Sequence, residues 1–439
     1  MTKSLLFMSF AALTAVTGWA AEAGVNQSGF AAGNVPQSEW QPWAARAEIA
    51  PKTSIAADRN RGEPGALMIA GGGNASAYGG WQRVVDGIKP GTWYRFVAHY
   101  QADSVDDENL QVLSRLDWRR ATGKRAGQPE YAFAVEQDGA WKRVTVDTPA
   151  PPEASSVEIE LLLAYSANGK VWWDDVSLTP IPEPKPRLVR VATVNLRPRN
   201  TASSQESVQR FLDVIDHRVS GETDVILLSE GITVVGTAKS YAEVSETVPG
   251  PTSRALGEMA RKKNSYIAAG IYERDGIDIF NTAILIDREG KVAGKYRKVY
   301  LPREEIEGGL TPGSDYPVFQ TDFGKVGMMI CWDLQYADPA RGLALAGAEL
   351  ILTPIWGGNE TLGKARAIEN QVFIATAGYD YPSLILDRDG DVLAHAKDEG
   401  TVAFTTIDLN KRYADPWLGD MRGRLVKELR LDVPVRAGR

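Results

Sequence analysis

The sequence predicts an α/β fold preceded by an antiparallel β-sandwich, and three observations carry that prediction. Hydrophobic residues recur with period two up to about residue 180. The run Ile181-Pro-Glu-Pro-Lys-Pro186 then interrupts the chain. Beyond it, apolar strand-like runs alternate with stretches of helical period to about residue 410, which is the pattern of an α/β domain. A chain of 439 residues with 44% hydrophobic and 24% charged residues has material for more than one core.

The chain opens with Lys3, an apolar stretch from Leu5 to Val16, and the small-residue run Ala20-Ala21-Glu22-Ala23. A charged start, a short apolar centre and an A-x-A ending make residues 1–23 an export signal, cut after Ala23 or Ala20. No later run reaches the ~18–20 apolar residues that span a bilayer. The expectation is an exported protein, periplasmic or secreted, with no membrane span.

Residues 24–180 read as the sandwich. Its period-two runs are Trp93-Tyr-Arg-Phe-Val-Ala-His-Tyr100, Trp141-Lys-Arg-Val-Thr-Val146, Val157-Glu-Ile-Glu-Leu-Leu-Leu163 and Val171-Trp-Trp-Asp-Asp-Val-Ser-Leu178. Eight of the 12 tryptophans lie here, at 40, 43, 81, 93, 118, 141, 172 and 173, as core residues or as faces on which sugar rings stack. Gly71-Gly-Gly73 lacks the G-K-[ST] that completes a phosphate loop and reads as a turn.

Residues 181–186 form a stiff extended linker, because alternate prolines remove donors and fix φ. In residues 187–410, strands are expected at 188–196, 224–228, 266–272, 281–287, 291–296, 326–330, 350–352 and 372–379, with a hairpin over 384–395. Helices are expected at 204–219, 252–263, 337–347 and 360–371. Residues 411–439, polar apart from Trp417 and Leu418, read as a tail or docking arm.

Charge and composition narrow the chemistry. A net charge of −7 gives no basic field for nucleic acid. One cysteine excludes an intrachain disulfide or a cysteine-rich metal site, and three histidines leave little stock for a His-based centre. The single cysteine, Cys331, ends the apolar strand Val326-Gly-Met-Met-Ile330 shortly before a helix, where N-terminal amides favour a thiolate and supply oxyanion donors. Glu230 ends Val225-Ile-Leu-Leu-Ser-Glu230, a costly place for an unused carboxylate, and Lys298 ends a third strand. A carboxylate is then the base for the thiol.

At these residues the chain resembles the nitrilase superfamily of carbon-nitrogen hydrolases. The resemblance rests, in order, on Leu-Leu-Ser-Glu230, Tyr-Arg-Lys298-Val-Tyr-Leu-Pro, Thr311-Pro-Gly313, Val-Gly-Met-Met-Ile-Cys331-Trp-Asp, Pro339-Ala-Arg341, Gly347-Ala-Glu-Leu350 and Arg366-Ala-Ile-Glu-Asn370. It implies a four-layer αββα sandwich over 187–410, oligomerisation through that fold, and a Glu230–Lys298–Cys331 triad with no metal or organic cofactor. It also implies a second glutamate, either Glu305 or its rival Glu307. Trp332, Trp356 and Asn359 are candidates to line the pocket, with packing as the other reading of the two tryptophans. Arg366 and Glu369 read as a structural ion pair.

The closing strand Val171–Leu178, with Gly91-Thr-Trp-Tyr-Arg-Phe96, resembles carbohydrate-binding modules of the galactose-binding-like type. That resemblance implies a jelly roll, with a structural calcium near Asp174 or Asp175 as one reading and two solvated carboxylates as the other. Cys331-Trp-Asp333 looks more like amidases and carbamoylases than like nitrilases. The expected activity is therefore hydrolysis of a small amide or N-carbamoyl compound through a cysteine thioester, beside a carbohydrate partner for the sandwich. Thioester-dependent acyl transfer to an amine and a non-catalytic glycan-binding protein are the alternatives.

Overall fold

The computed structural model describes residues 25–26, 39–61, 65–219, 222–415 and 417–433; the export signal expected at residues 1–23 lies outside them. The chain divides into two compact units between Glu183 and Pro184. No helix among the described residues is long and apolar enough to cross a membrane.

In the first unit every strand pairing is antiparallel. One sheet runs in the order 52–56, 66–70, 170–181, 93–103, 141–149 and 134–138, and the other 41–44, 78–86, 156–164, 112–119 and 130–131. Alternation decides what each strand buries. Val157, Ile159, Leu161 and Leu163 of one sheet share a core with Phe96, Ala98, Tyr100, Val171 and Trp173 of the other. The strand Lys170–Ile181 carries its pairing through Pro180 and Ile181, opposite Tyr94 and Trp93, so the extended linker begins after them. Of the eight tryptophans, Trp40, Trp81, Trp118, Trp141, Trp172 and Trp173 are buried, which makes packing their main work.

The two strand-end carboxylates of this unit differ in exposure, Asp175 keeping 34% of its side chain exposed while Asp174 is buried. Asp174 is fully buried and accepts the backbone N–H groups of Arg61 and Asp175 at 2.8 and 2.7 Å. Asp175 Oδ2 lies 3.7 Å from Arg61 Nε and 3.4 Å from His99 Nδ1. This surrounding suits a guanidinium and an imidazole, and a calcium ion fits it poorly.

The second unit holds two six-stranded sheets. The first has the order 292–297, 278–286, 266–275, 225–227, 188–195 and 401–408, and the second 318–320, 325–328, 350–354, 373–377, 383–386 and 392–396. Each has three parallel strands flanked by antiparallel ones. Because the strands are buried on both faces, they read as continuous apolar runs. Val225 and Leu227 face a core shared with Met328, Leu350, Leu352, Ile374 and Leu384 of the other sheet. Ile226 and Leu228, on the opposite face, pack against Phe211, Leu212 and Ile215 of the helix Ser204–Arg218 and Leu256 and Ala260 of the helix Pro251–Lys263. Ala340, Leu343 and Ala367 bring the helices Asp338–Leu345 and Glu360–Asn370 onto the second sheet. The layers are thus helix, sheet, sheet, helix.

Other features also depart from the sequence reading. Cys331 is followed by a 3-10 turn, Cys331–Gln335, and the α-helix begins only at Asp338. The segment expected as a tail contains a short strand pair, 414–415 with 419–420, and a helix, Met421–Glu428, capped by the Asp420 side chain.

Candidate active site

Three strand ends and one short helix of the second unit build the site. Glu230 follows the strand Val225–Leu227, and the neighbouring strand fixes its backbone. Gly270 donates its N–H to Ser229 O and accepts from Ile232 N–H, at 3.1 and 2.9 Å. A Cβ on Gly270 would stand 2.7 Å from Glu230 Cα, so only glycine permits this approach. Tyr379 completes the support, its hydroxyl donating to Glu230 O at 2.8 Å.

Lys298 follows the strand Val292–Arg297. Its N–H donates to Asn281 O and its carbonyl accepts from Gly313 N–H, both at 2.8 Å. Gly313 belongs to the Thr311-Pro-Gly313 motif, and a Cβ there would lie 2.1 Å from Arg297 O. The ammonium, 1% exposed, donates to Glu230 Oε1 at 2.9 Å and Glu305 Oε1 at 3.0 Å. Of the two candidate glutamates, Glu305 is the one brought to Lys298. Glu307, on the same helix Arg303–Glu307, is exposed and faces Arg303.

Cys331 is partly exposed, with φ +43°, a left-handed conformation that a non-glycine residue adopts only at a cost of about 1–3 kcal/mol. Its Sγ lies 3.6 Å from Gly357 O. Asp333, fully buried, holds the turn in that shape: Oδ2 accepts Ile330 N–H at 2.9 Å and the Tyr296 hydroxyl at 2.7 Å, and Oδ1 accepts Tyr300 N–H at 2.9 Å. Tyr296 and Tyr300 flank Lys298 in the sequence, so one carboxylate ties the nucleophile's turn to the lysine's segment. Arg366 secures the far end of the turn, donating to Leu334 O and Gln335 O at 3.2 Å each while pairing with Glu369 at 2.9 Å.

A cavity of about 890 Å³ brings Glu230, Lys298, Glu305 and Cys331 together with Trp332 and Trp356. Arg197, Arg199, Glu304, Tyr241 and Tyr272, which the sequence reading did not single out, also line it. Trp356 stands edge-on to Tyr379, with centroids 4.8 Å apart, and the Arg197 guanidinium lies 5.8 Å from its ring centroid. Asn359 does other work. It caps the helix Glu360–Asn370, accepting Thr361 N–H at 2.9 Å, and is not among the residues lining this cavity. An asparagine directly before a helical pattern is an N-cap signal, so that role was legible.

The electrostatics reverse one expectation. Burial, reinforced by the Glu230 carboxylate and only partly opposed by Lys298, pushes the Cys331 thiol up to about 12. The resting thiol is neutral, and no α-helix starts at Cys331 to offset this. Burial works against the Lys298 ammonium, yet the Glu230 and Glu305 carboxylates outweigh it and hold its pKa above the usual lysine range. Burial likewise raises Glu305 to about 7, with Lys298 pulling down and Glu230 pushing up. The two carboxylates are bridged by the protein's own cation, Lys298.

Known proteins share this unit. The family model "Carbon-nitrogen hydrolase" matches residues 190–416, more than half of the 439. The Omega-amidase NIT2 of Homo sapiens is 28% identical over 251 residues, which cover 51% of this chain and 89% of that protein. Its counterpart in Danio rerio is 30% identical over 214 residues, 42% of this chain and 74% of that one. Among solved structures, Nit3 of Saccharomyces cerevisiae, a member of the nitrilase superfamily, is 23% identical with a TM-score of 0.44 and covers 50% of this chain and 90% of its own. With the family model spanning the residues that build the cavity, the chain belongs to the carbon-nitrogen hydrolase family, as an enzyme of the amidase type.

Proposed function

We propose that the second unit hydrolyses the C–N bond of a small linear amide through a thioester on Cys331. The observation that carries this reading is the convergence of one thiol, one ammonium and two carboxylates on a single cavity. Glu230 takes the thiol proton as sulfur attacks the carbonyl carbon. Lys298 and the Trp332 N–H stabilise the oxyanion. Glu230 then returns the proton to the departing amine and activates water against the thioester. No step calls for a metal or an organic cofactor.

The amide class is supported by the likeness to the omega-amidases of Homo sapiens and Danio rerio. N-carbamoyl compounds share the same carbonyl chemistry, and an amine in place of water turns the reaction into acyl transfer. An exported location, from the signal at residues 1–23, belongs to the same reading.

For the first unit we propose a carbohydrate partner. Trp43, Tyr78 and Tyr165 support it: their rings follow one another at 6.1 and 5.9 Å, and Tyr165 is 53% exposed. Aromatic faces of this kind suit sugar rings. Co-sedimentation of the full chain with insoluble polysaccharides should show retention that Trp43→Ala with Tyr165→Ala abolishes; equal partitioning of both proteins with every polysaccharide removes the proposal.

Cys331→Ala should remove amide turnover and leave the fold intact, and Cys331→Ser should lose at least about 100-fold, the scale at which an activated nucleophile matters. Ammonia or amine release by either variant at near wild-type rate rules out the thioester. The neutral resting thiol gives a second expectation. Thiolate absorbance at 240 nm, taken as the difference from Cys331→Ala, should show no step between pH 6 and pH 9, since the folded thiol ionises only near 12. A step below pH 8.5 means a preformed thiolate and no need for Glu230 as base.

A further inference from the structure

Asn281 lies in the strand Asp278–Ile286 and is fully buried. Its carbonyl accepts the Lys298 N–H at 2.8 Å. Its side-chain Nδ2 donates to Glu230 Oε1 and to Glu305 Oε1, each at 2.7 Å. Lys298 Nζ donates to the same two oxygens. The carboxylates are therefore bridged twice, once by a cation and once by a neutral amide. The thioester reading leaves the amide unexplained.

Two carboxylates sharing a buried site repel unless donors stand between them. Lys298 balances one of the two charges. A second cation would balance the other and weaken Glu230 as a base for the thiol proton, whereas a neutral amide holds the oxygens together without changing the charge count. Both N–H bonds of the amide are consumed in this way. Glu230 Oε2 and Glu305 Oε2 are left buried and without a hydrogen-bond partner among the described residues.

We propose that Asn281 is a positioning residue, whose amide binds Oε1 of both glutamates so that Glu230 offers its unbridged Oε2 to the Cys331 proton. The inference rests on the thioester reading. The proton leaves Sγ for Glu230 Oε2 as the S–C bond forms, and moves on to the leaving nitrogen as the C–N bond breaks. The other groups facing the pair are Lys298, Cys331 and the hydroxyls of Tyr241, Tyr272 and Tyr379. Burial raises all three phenols, so they stay neutral through the working range.

Two variants and two readouts test this on the full chain. Alkylation of Cys331, the only thiol, by iodomethane, which carries no carbonyl, needs no amide substrate and reports proton removal directly. Asn281→Leu deletes the bridge at similar volume and should slow alkylation, and lower kcat on propionamide, by about 100-fold while KM changes little. Asn281→Asp keeps the shape and adds a third carboxyl, so the acid limbs of alkylation and of kcat/KM should move up by about one pH unit. If Asn281→Leu does not fold, the Asp variant decides. Wild-type rates and an unmoved acid limb in the folded variants, with only Tm lowered, overturn the proposal. An alkylation profile that moves in Asn281→Asp while the wild type hydrolyses no amide supports the role of Asn281 and counts against the substrate reading alone.

Discussion

The ammonium of Lys298, buried between two carboxylates, is the constraint on which the rest of the site depends. An unpartnered charge at 1% exposure would cost several kcal/mol. Glu230 and Glu305 must therefore arrive within hydrogen-bond distance of it, although 68 and 7 residues separate them from the lysine in sequence. Sheet order meets that demand. The strands 225–227, 266–275, 278–286 and 292–297 lie side by side, so the residues at and beyond their ends meet at one edge. Removing either partner from such a buried pair costs about 3–5 kcal/mol, which couples the site to the stability of its sheet.

The nucleophile comes from the other sheet, and it has its own support. A left-handed Cys331 persists because Asp333 and Arg366 determine the turn from both ends. Asp333 also accepts from Tyr296, a residue of the first sheet, and so crosses the central core. Burial outweighs the donors around this carboxyl and pushes it up to about 6. The unit thus carries a polar cluster at the end of its first sheet, centred on Lys298, and a polar link from that sheet to the nucleophile's turn, at Asp333.

Much of this was legible in the sequence because the cost of burying polar groups marks them. Glu230 and Cys331 each end an apolar run and Lys298 ends a strand, and a buried charge at such a place demands a partner. Asn281 gave the same signal, a polar residue inside Phe280-Asn-Thr-Ala-Ile284, and went unread because an asparagine has no chemistry of its own to advertise. Choosing between Glu305 and Glu307 needed the helix in place, since both follow Leu301-Pro302 at plausible distances and only burial separates them. The edge strands Val318–Gln320 and Thr401–Asp408 escaped the reading because their pairing partners, rather than their own periodicity, define them. The field expected at Cys331 failed for a related reason: hydrophobic period shows that a strand ends, but not whether a 3-10 turn or an α-helix follows.

Rapid-quench mass spectrometry during turnover of a small amide tests the central claim most directly. The account predicts a transient adduct, equal in mass to the acyl group, on the peptide that carries Cys331, rising and decaying with product release. Steady turnover with no adduct on that peptide at any quench time would contradict it.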